Sequence, residues 1–178
     1  MRKRPRMYFG LGRTDPDLPG AVARAVAAEP FAWSYAPVDV ELAIDAGMTF
    51  TVTDNGAVPC AADGAPLLDG SGCLLDRRRW TLSAAAAVST RVSVEVRAGG
   101  RHWRQTLSGT EPDAAPEDRG ACSGTLTRVT FELDTGYFQP GAALPADAAC
   151  LWPADACEVH GSFTVTDRRA PETDAERR

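Results

Sequence analysis

A two-layer α/β sandwich, with a mixed, mostly antiparallel sheet covered by helices on one face, is the fold class this sequence predicts. Three observations predict it. About six segments alternate apolar and polar residues with a period of two, the pattern of strands that bury one side. Two Ala-rich segments carry apolar residues at helical spacing. Gly, Pro and Asp clusters separate these segments at intervals suited to turns. Strands with one apolar side need a covering layer, and two short helices can supply it.

The elements follow in order. Residues 1–10 carry a basic run, then Met7, Tyr8 and Phe9, and a Gly/Pro/Asp loop leads on to Gly20. The segment 18–29 places Val22, Ala25 and Val26 on one helical side, and Pro30, which has no backbone N–H, is expected to stop it. In 38–44, Val38, Val40, Leu42 and Ile44 alternate with Asp39, Glu41 and Ala43, and Ala46-Gly47 reads as a turn. In 49–54, Phe50, Val52 and Asp54 share a side, which puts a carboxylate at the end of an apolar row, where burial without a partner is costly. Residues 57–79 read as an irregular excursion and 81–89 as a short helix. Strands are expected at 91–97 and 101–107, joined by Ala98-Gly99-Gly100, with a loop over 109–123. A strand over 124–133 puts Thr125, Thr127, Val129, Phe131 and Leu133 on one side. An Ala/Pro/Cys-rich connector follows Pro140, and a last strand is expected over 158–166. One domain over 1–169 and a charged, frayed tail over 170–178 complete the reading.

Composition narrows the function. The chain has 178 residues, 44% hydrophobic and 24% charged, an ordinary globular balance for one domain. Its net charge of −5 argues against direct DNA binding, which needs a basic stripe to displace counterions. No run of about 18 apolar residues is present, and the basic N-terminus lacks the apolar core of a secretory signal, so a cytoplasmic protein without a membrane span is expected. The five cysteines, at 60, 73, 122, 150 and 157, include no C-x-x-C pair. With His102 and His160 as the two histidines, they read as reduced, buried thiols, not as a metal site or a catalytic Cys/His pair.

Arg2-Lys3-Arg4-Pro5-Arg6-Met7-Tyr8-Phe9-Gly10 is similar to the R-K-R-P-x-M-Y-I-G segment that opens the ATPase domain of the gyrase B family of type II DNA topoisomerases. Val52-Thr53-Asp54-Asn55-Gly56, with Pro59 beyond, resembles V-x-D-(N/D)-G-R-G-I-P. Ala87 to Gln105 resembles the family's helix end and hairpin, Gly124-Thr125 with Val129-Thr130-Phe131 resembles G-T-x-V-x-F, and Gly161 to Arg169 resembles G-V-S-I-x-L-x-D-x-R. The five matches run in order from residue 2 to 169.

The resemblance implies the GHKL sandwich, with an adenine pocket formed by Asp54, Gly56, Pro59 and Thr125 and with Arg104 at its mouth, where the family contacts aminocoumarin inhibitors. It implies ATP or ADP, or another planar molecule, as ligand. The family's general base and magnesium ligand stand on its first helix as E-x-x-x-N. Here those positions hold Arg24, which cannot accept a proton from water, and Ala28, which has no oxygen for a metal. Magnesium is therefore not expected, and no catalytic residue is assigned.

Arg79-Trp80-Thr81 replaces the glycine-rich phosphate lid, Gly70-Ser71-Gly72 being the nearby Gly-rich triplet. Arg77, Arg78 and Arg79 could meet phosphate by charge, although a solvated charge run is the commoner reading. The arginine that follows D-N-G in the family is missing, and its acidic partner falls near Ala32, so both members of that ion pair are expected to be absent. No counterpart of the family's N-terminal arm, transducer or DNA-cleavage domain is matched, and strand passage is not expected of this chain alone.

Three functions fit the pattern, in descending order. One is a non-hydrolysing nucleotide- or ligand-binding homologue, which could sequester a gyrase-directed inhibitor. The second is a protein-interaction module, a gyrase-like subunit or regulator whose pocket is closed by a side chain such as Trp80 or Met48. The third is an active ATPase of the type II topoisomerase class.

Overall fold

The structure, a computed structural model, describes residues 1–34, 36–68, 72–75, 79–151 and 161–169. The expected tail over 170–178, the start of the last strand, Arg77, Arg78, Gly70, Ser71 and His160 lie outside the described residues.

Eight strands form one open sheet: β1 (Val38–Ala46), β2 (Thr49–Asp54), β3 (Ser89–Ala98), β4 (Arg101–Ser108), β5 (Glu111–Pro112), β6 (Glu117–Ala121), β7 (Leu126–Leu133) and β8 (Gly161–Asp167). Their order is β5-β4-β3-β7-β2-β1-β8, with β6 also pairing to β4. Every pairing is antiparallel except β1 with β8, which is parallel. Among the described residues three α-helices accompany the sheet, α1 (Arg6–Phe9), α2 (Leu18–Trp33) and α3 (Trp80–Ala87), with a 3-10 turn over Ala148–Leu151. A mixed α/β fold with a mostly antiparallel sheet is what the period-two pattern predicts.

The alternation decides which side is core. Val38, Val40, Leu42 and Ile44 of β1, Phe50 and Val52 of β2, Val92, Val94 and Val96 of β3, and Val129 and Phe131 of β7 are all buried. Phe50 and Phe131 stack at 5.1 Å between ring centroids, a cross-strand pair at the centre of this layer. Leu18, Val22 and Val26 of α2 and Leu82 of α3 are buried with them in one cluster. The other side of the sheet is polar. Asp45, Thr51 and Thr130 are linked there by hydroxyl hydrogen bonds, and Arg168 pairs with Glu41 and Asp45.

Four boundaries depart from expectation. Helix α2 continues through Pro30 to Trp33. Pro30 stands in the final turn, where one missing donor is tolerated, and its carbonyl accepts the Ser34 N–H at 3.1 Å to hold that turn closed. The extra turn carries Phe31 against Phe163 of β8, edge-on at 6.3 Å. The loop expected over 109–123 contains β5 and β6, short edge strands of polar residues that give no alternation to read. Helix α1 forms within the basic N-terminal run, closed by Gly10 at φ 76°. Strand β7 begins at Leu126, because Gly124 at φ 75° turns the chain out of the extended path just before it.

Candidate functional site

Strand register builds the site. Asp54, the last residue of β2, pairs with Thr127 of β7, which pairs with Val96 of β3, so the three form one row across the sheet on its buried side. The row behind it holds Val52, Val129 and Val94. Val58 and Pro59 of the loop after β2, the segment Leu74–Leu75 and Leu82 of α3 close the space above these rows. The cavity they line with Asp54, Thr127 and Arg79 measures about 70 Å³.

Asp54 is 5% exposed and carries two contacts. Its Oδ1 accepts the Gly56 N–H at 3.1 Å, the turn-forming bond expected of an Asp before Asn-Gly. A side chain at Gly56 would begin 3.0 Å from that same oxygen, a tight approach that Asp54 would have to yield to. Asn55 turns outward: its amide donates to Asp39 Oδ2 at 2.9 Å, and its Oδ1 accepts the Asp39 N–H.

The other Asp54 oxygen faces Arg79. Arg79 Nη1 lies 3.4 Å from Asp54 Oδ2, and Arg79 Nε lies 3.7 Å from Glu29 Oε2. Glu29, 6% exposed on α2, accepts the backbone N–H groups of Thr81 at 2.8 Å and Leu82 at 3.2 Å, thereby capping the N-terminus of α3. Burial pushes the Glu29 carboxyl above its ordinary value of 4.5, opposed by the Thr81 N–H and by the charge of Arg79. One arginine thus bridges two buried carboxylates on separate elements.

Beyond Glu29 a wider groove of about 490 Å³ opens between α2 and α3, lined by Ala25, Ala28, Ala32, Trp33, Trp80 and Thr81 as well. Trp80 is 67% exposed, and the cavity beside Asp54 is lined by neither Trp80 nor Met48. The side chain that enters that cavity is Arg79.

The expected site residues separate into two groups. Asp54, Gly56 and Pro59 come together as the D-N-G spacing suggests, and Arg79 joins them as a partly buried partner, not as part of a solvated run. Thr125 is exposed and precedes β7, so the threonine that lines the cavity is Thr127. The sequence holds the signal for this: Thr127 stands two residues before Val129, on the same side of the strand, and pairs with Asp54 in register. Arg104 faces the opposite side of the sheet. Its Nε lies 3.9 Å from Glu95, whose neighbours Val94 and Val96 line the cavity from the other side. Arg77 and Arg78 lie outside the described residues.

Two site-building residues carry no functional signal in the sequence. Glu29 sits beside Pro30, the residue expected to stop the helix. Gln105, 3% exposed, accepts the Leu74 N–H at 2.7 Å and donates to the carbonyls of Gly72 and Ala114, fixing the segment that roofs the cavity. A different ion pair stands near this loop, between Arg79 and the buried Glu29.

On α2, Arg24 Nη1 donates to the Cys150 carbonyl at 3.0 Å, and Ala28 presents a methyl group to the groove. Among the described residues no three His, Cys, Asp or Glu side chains gather as metal ligands, and no helix is long and apolar enough to cross a membrane. No protein-family model and no curated protein sequence matches the chain.

Proposed function

We propose that this chain is a GHKL-type homologue of the gyrase B ATPase domain that binds the flat, amine-bearing end of a nucleotide or similar planar ligand and does not hydrolyse it. The observation carrying this reading is the Asp54–Thr127 pair, a buried carboxylate beside a hydroxyl at the end of a valine-lined cavity. Such a pair can accept from an exocyclic amine and exchange a hydrogen bond with a ring nitrogen, while Val94, Val96 and Val129 meet the ring face. The cavity is far below the roughly 300 Å³ at which small-molecule sites begin. Binding therefore requires Arg79 to leave Asp54 and join the cavity to the groove between α2 and α3. Adenosine nucleotides fit this donor set. Magnesium does not, because Ala28 offers no ligand, and Arg24 offers no base for water.

A second reading, a protein-interaction module with a closed pocket, is favoured by the Arg79–Asp54 contact itself. Calorimetry with adenosine, a non-hydrolysable ATP analogue and an aminocoumarin separates the two. Adenosine binding that weakens at least tenfold in Asp54→Asn and in Thr127→Val supports the first. No heat from any of the three, in the native protein or in Arg79→Ala, supports the second. Magnesium-dependent release of phosphate from ATP would overturn the non-hydrolysing assignment.

A further inference from the structure

At the other end of β7 from Thr127 lies a second concavity, of about 420 Å³, lined by Arg2, Lys3, Arg13, Gly136 and Tyr137. Strand β7 separates it from the Asp54 row by roughly 20 Å at about 3.3 Å per residue. We propose that it is a binding site for a phosphate dianion, free or carried as a small monoester.

Its cations are held in place. The guanidinium carbons of Arg2 and Arg13 each lie 5.0 Å from the centroid of the Tyr137 ring, a cation–π geometry. Arg13 Nε donates to the Tyr137 carbonyl at 2.8 Å, which fixes the guanidinium and leaves its terminal nitrogens for a ligand. Tyr137 is 3% exposed, and its hydroxyl donates to the Arg2 carbonyl at 2.8 Å, locking the basic N-terminal segment to the ring. Fixed guanidinium forks lose little freedom on meeting an oxyanion.

The charge balance selects the ligand. Among the described residues Asp134 is the one carboxylate paired with these cations, and both its oxygens are engaged, one by Arg2 and the other by the Gly136 N–H at 3.0 Å. Three cations against one carboxylate leave a net charge of +2 (3 − 1), and Lys3 has no ion-pair partner among the described residues. A dianion balances this site and a monocarboxylate does not. The local excess arises from the sequence: Arg2, Lys3, Arg4, Arg6 and Arg13 all precede Asp15, the first acidic residue, in a chain of net charge −5. The volume exceeds that of a bare anion and admits a small organic group on the ester oxygen.

Titration calorimetry and thermal unfolding at constant ionic strength test the site, with inorganic phosphate, ribose 5-phosphate, acetate and chloride as probes. Phosphate or its monoester is expected to raise the unfolding midpoint, by an amount that grows with concentration as mass action requires, while acetate and chloride do not. A response to both phosphate forms, or to inorganic phosphate alone, assigns the source. The Lys3→Gln change touches no structural contact and is expected to weaken binding at least threefold; adding Arg13→Gln should weaken it at least tenfold. Asp54→Asn should leave it unchanged, which keeps this result separate from the nucleotide reading. Affinity should also fall between pH 7.5 and 5.5 as the dianion is protonated, a monoester gaining its second proton near pH 6 and inorganic phosphate at a higher pH. Equal responses to phosphate and acetate, no response to any probe, or full binding by the double variant would overturn the proposal.

Discussion

Arg79 and Asp54 meet at 3.4 Å inside the cavity that a planar ligand would need, so the same carboxylate is structural partner and prospective ligand acceptor. Replacing Arg79 by alanine leaves Glu29 and Asp54 buried without their shared cation. Loss of one member of a buried pair costs about 3 kcal/mol or more. Urea unfolding of Arg79→Ala should show that loss, and calorimetry should show tighter adenosine binding in the variant that still folds. A variant as stable as the native protein would mean that the two carboxylates do not need the arginine.

The loop over 57–68 walls the cavity and is anchored by two glycines in contact. A Cβ on Gly99, at φ +57°, would sit 2.3 Å from the Gly64 carbonyl oxygen, and one on Gly64, at φ +83°, would sit 2.8 Å from that of Gly99. Gly99→Ala therefore pushes the loop off the β3–β4 turn and strains its own backbone, a destabilisation of about 2 kcal/mol. Hydrogen exchange should quicken at the amides of Ala61 and Leu67, which bond within the loop to Ala65 and Pro59, and remain slow in β3 and β7. Unchanged loop amides would show that the anchor lies elsewhere.

Residue pattern reveals the sheet better than it reveals the site. Strands β3 and β7 declare themselves because one side of each is buried and the other at least partly exposed, so every second residue reports its environment. Strands β1 and β2 keep the same apolar alternation although Ala43 and Thr51 on their second side are buried as well. Strands β5 and β6 sit at the sheet's edge with no apolar side and leave no such trace. Asp54 stands out because a carboxylate ends an apolar row. Thr127 lies on the same row as Val129, but the Gly124-Thr125 pair draws the motif two residues upstream, and the positive φ of Gly124 is a property of the fold. Arg79 reaches Asp54 across 25 residues, Gln105 reaches Leu74 across 31 and Glu29 reaches Thr81 across 52, and no local spacing encodes such contacts.

Two carboxyl groups give stability opposite slopes with pH. Glu29 has its folded value raised above 4.5 by burial, so the folded state holds its proton more tightly than the unfolded chain does. Its contribution is greatest below pH 4.5 and declines as pH rises through the folded midpoint. Asp167 is lowered to about 2 by its hydrogen bond from the Arg169 side chain, so its contribution is present above 3.8 and lost as pH falls through about 2. Carbon-detected titration should place the Glu29 midpoint above 4.5, and Glu29→Gln should remove the associated fall in stability between pH 4.5 and neutrality. A midpoint at or below 4.5 would contradict a desolvated setting for this group.

Gln105 offers the sharpest test of how the cavity roof is held, because its three hydrogen bonds differ in what their loss exposes. Leucine, one atom shorter, keeps an apolar side chain in that space but cannot accept from the Leu74 N–H or donate to Gly72 and Ala114. Gly72 and Ala114 are at least partly exposed, and water can replace the amide at their carbonyls. Leu74 is buried, and its N–H is left without an acceptor, a loss of about 1–3 kcal/mol. Gln105→Leu should therefore lower stability by that amount and accelerate exchange at the Leu74 amide above all others. Gln105→Glu keeps an acceptor for Leu74 while losing both donations, and should restore protection at that amide. If the two variants exchange alike there, the roof is held by the packing of Leu74 and Leu75, and the side-chain amide is incidental to it.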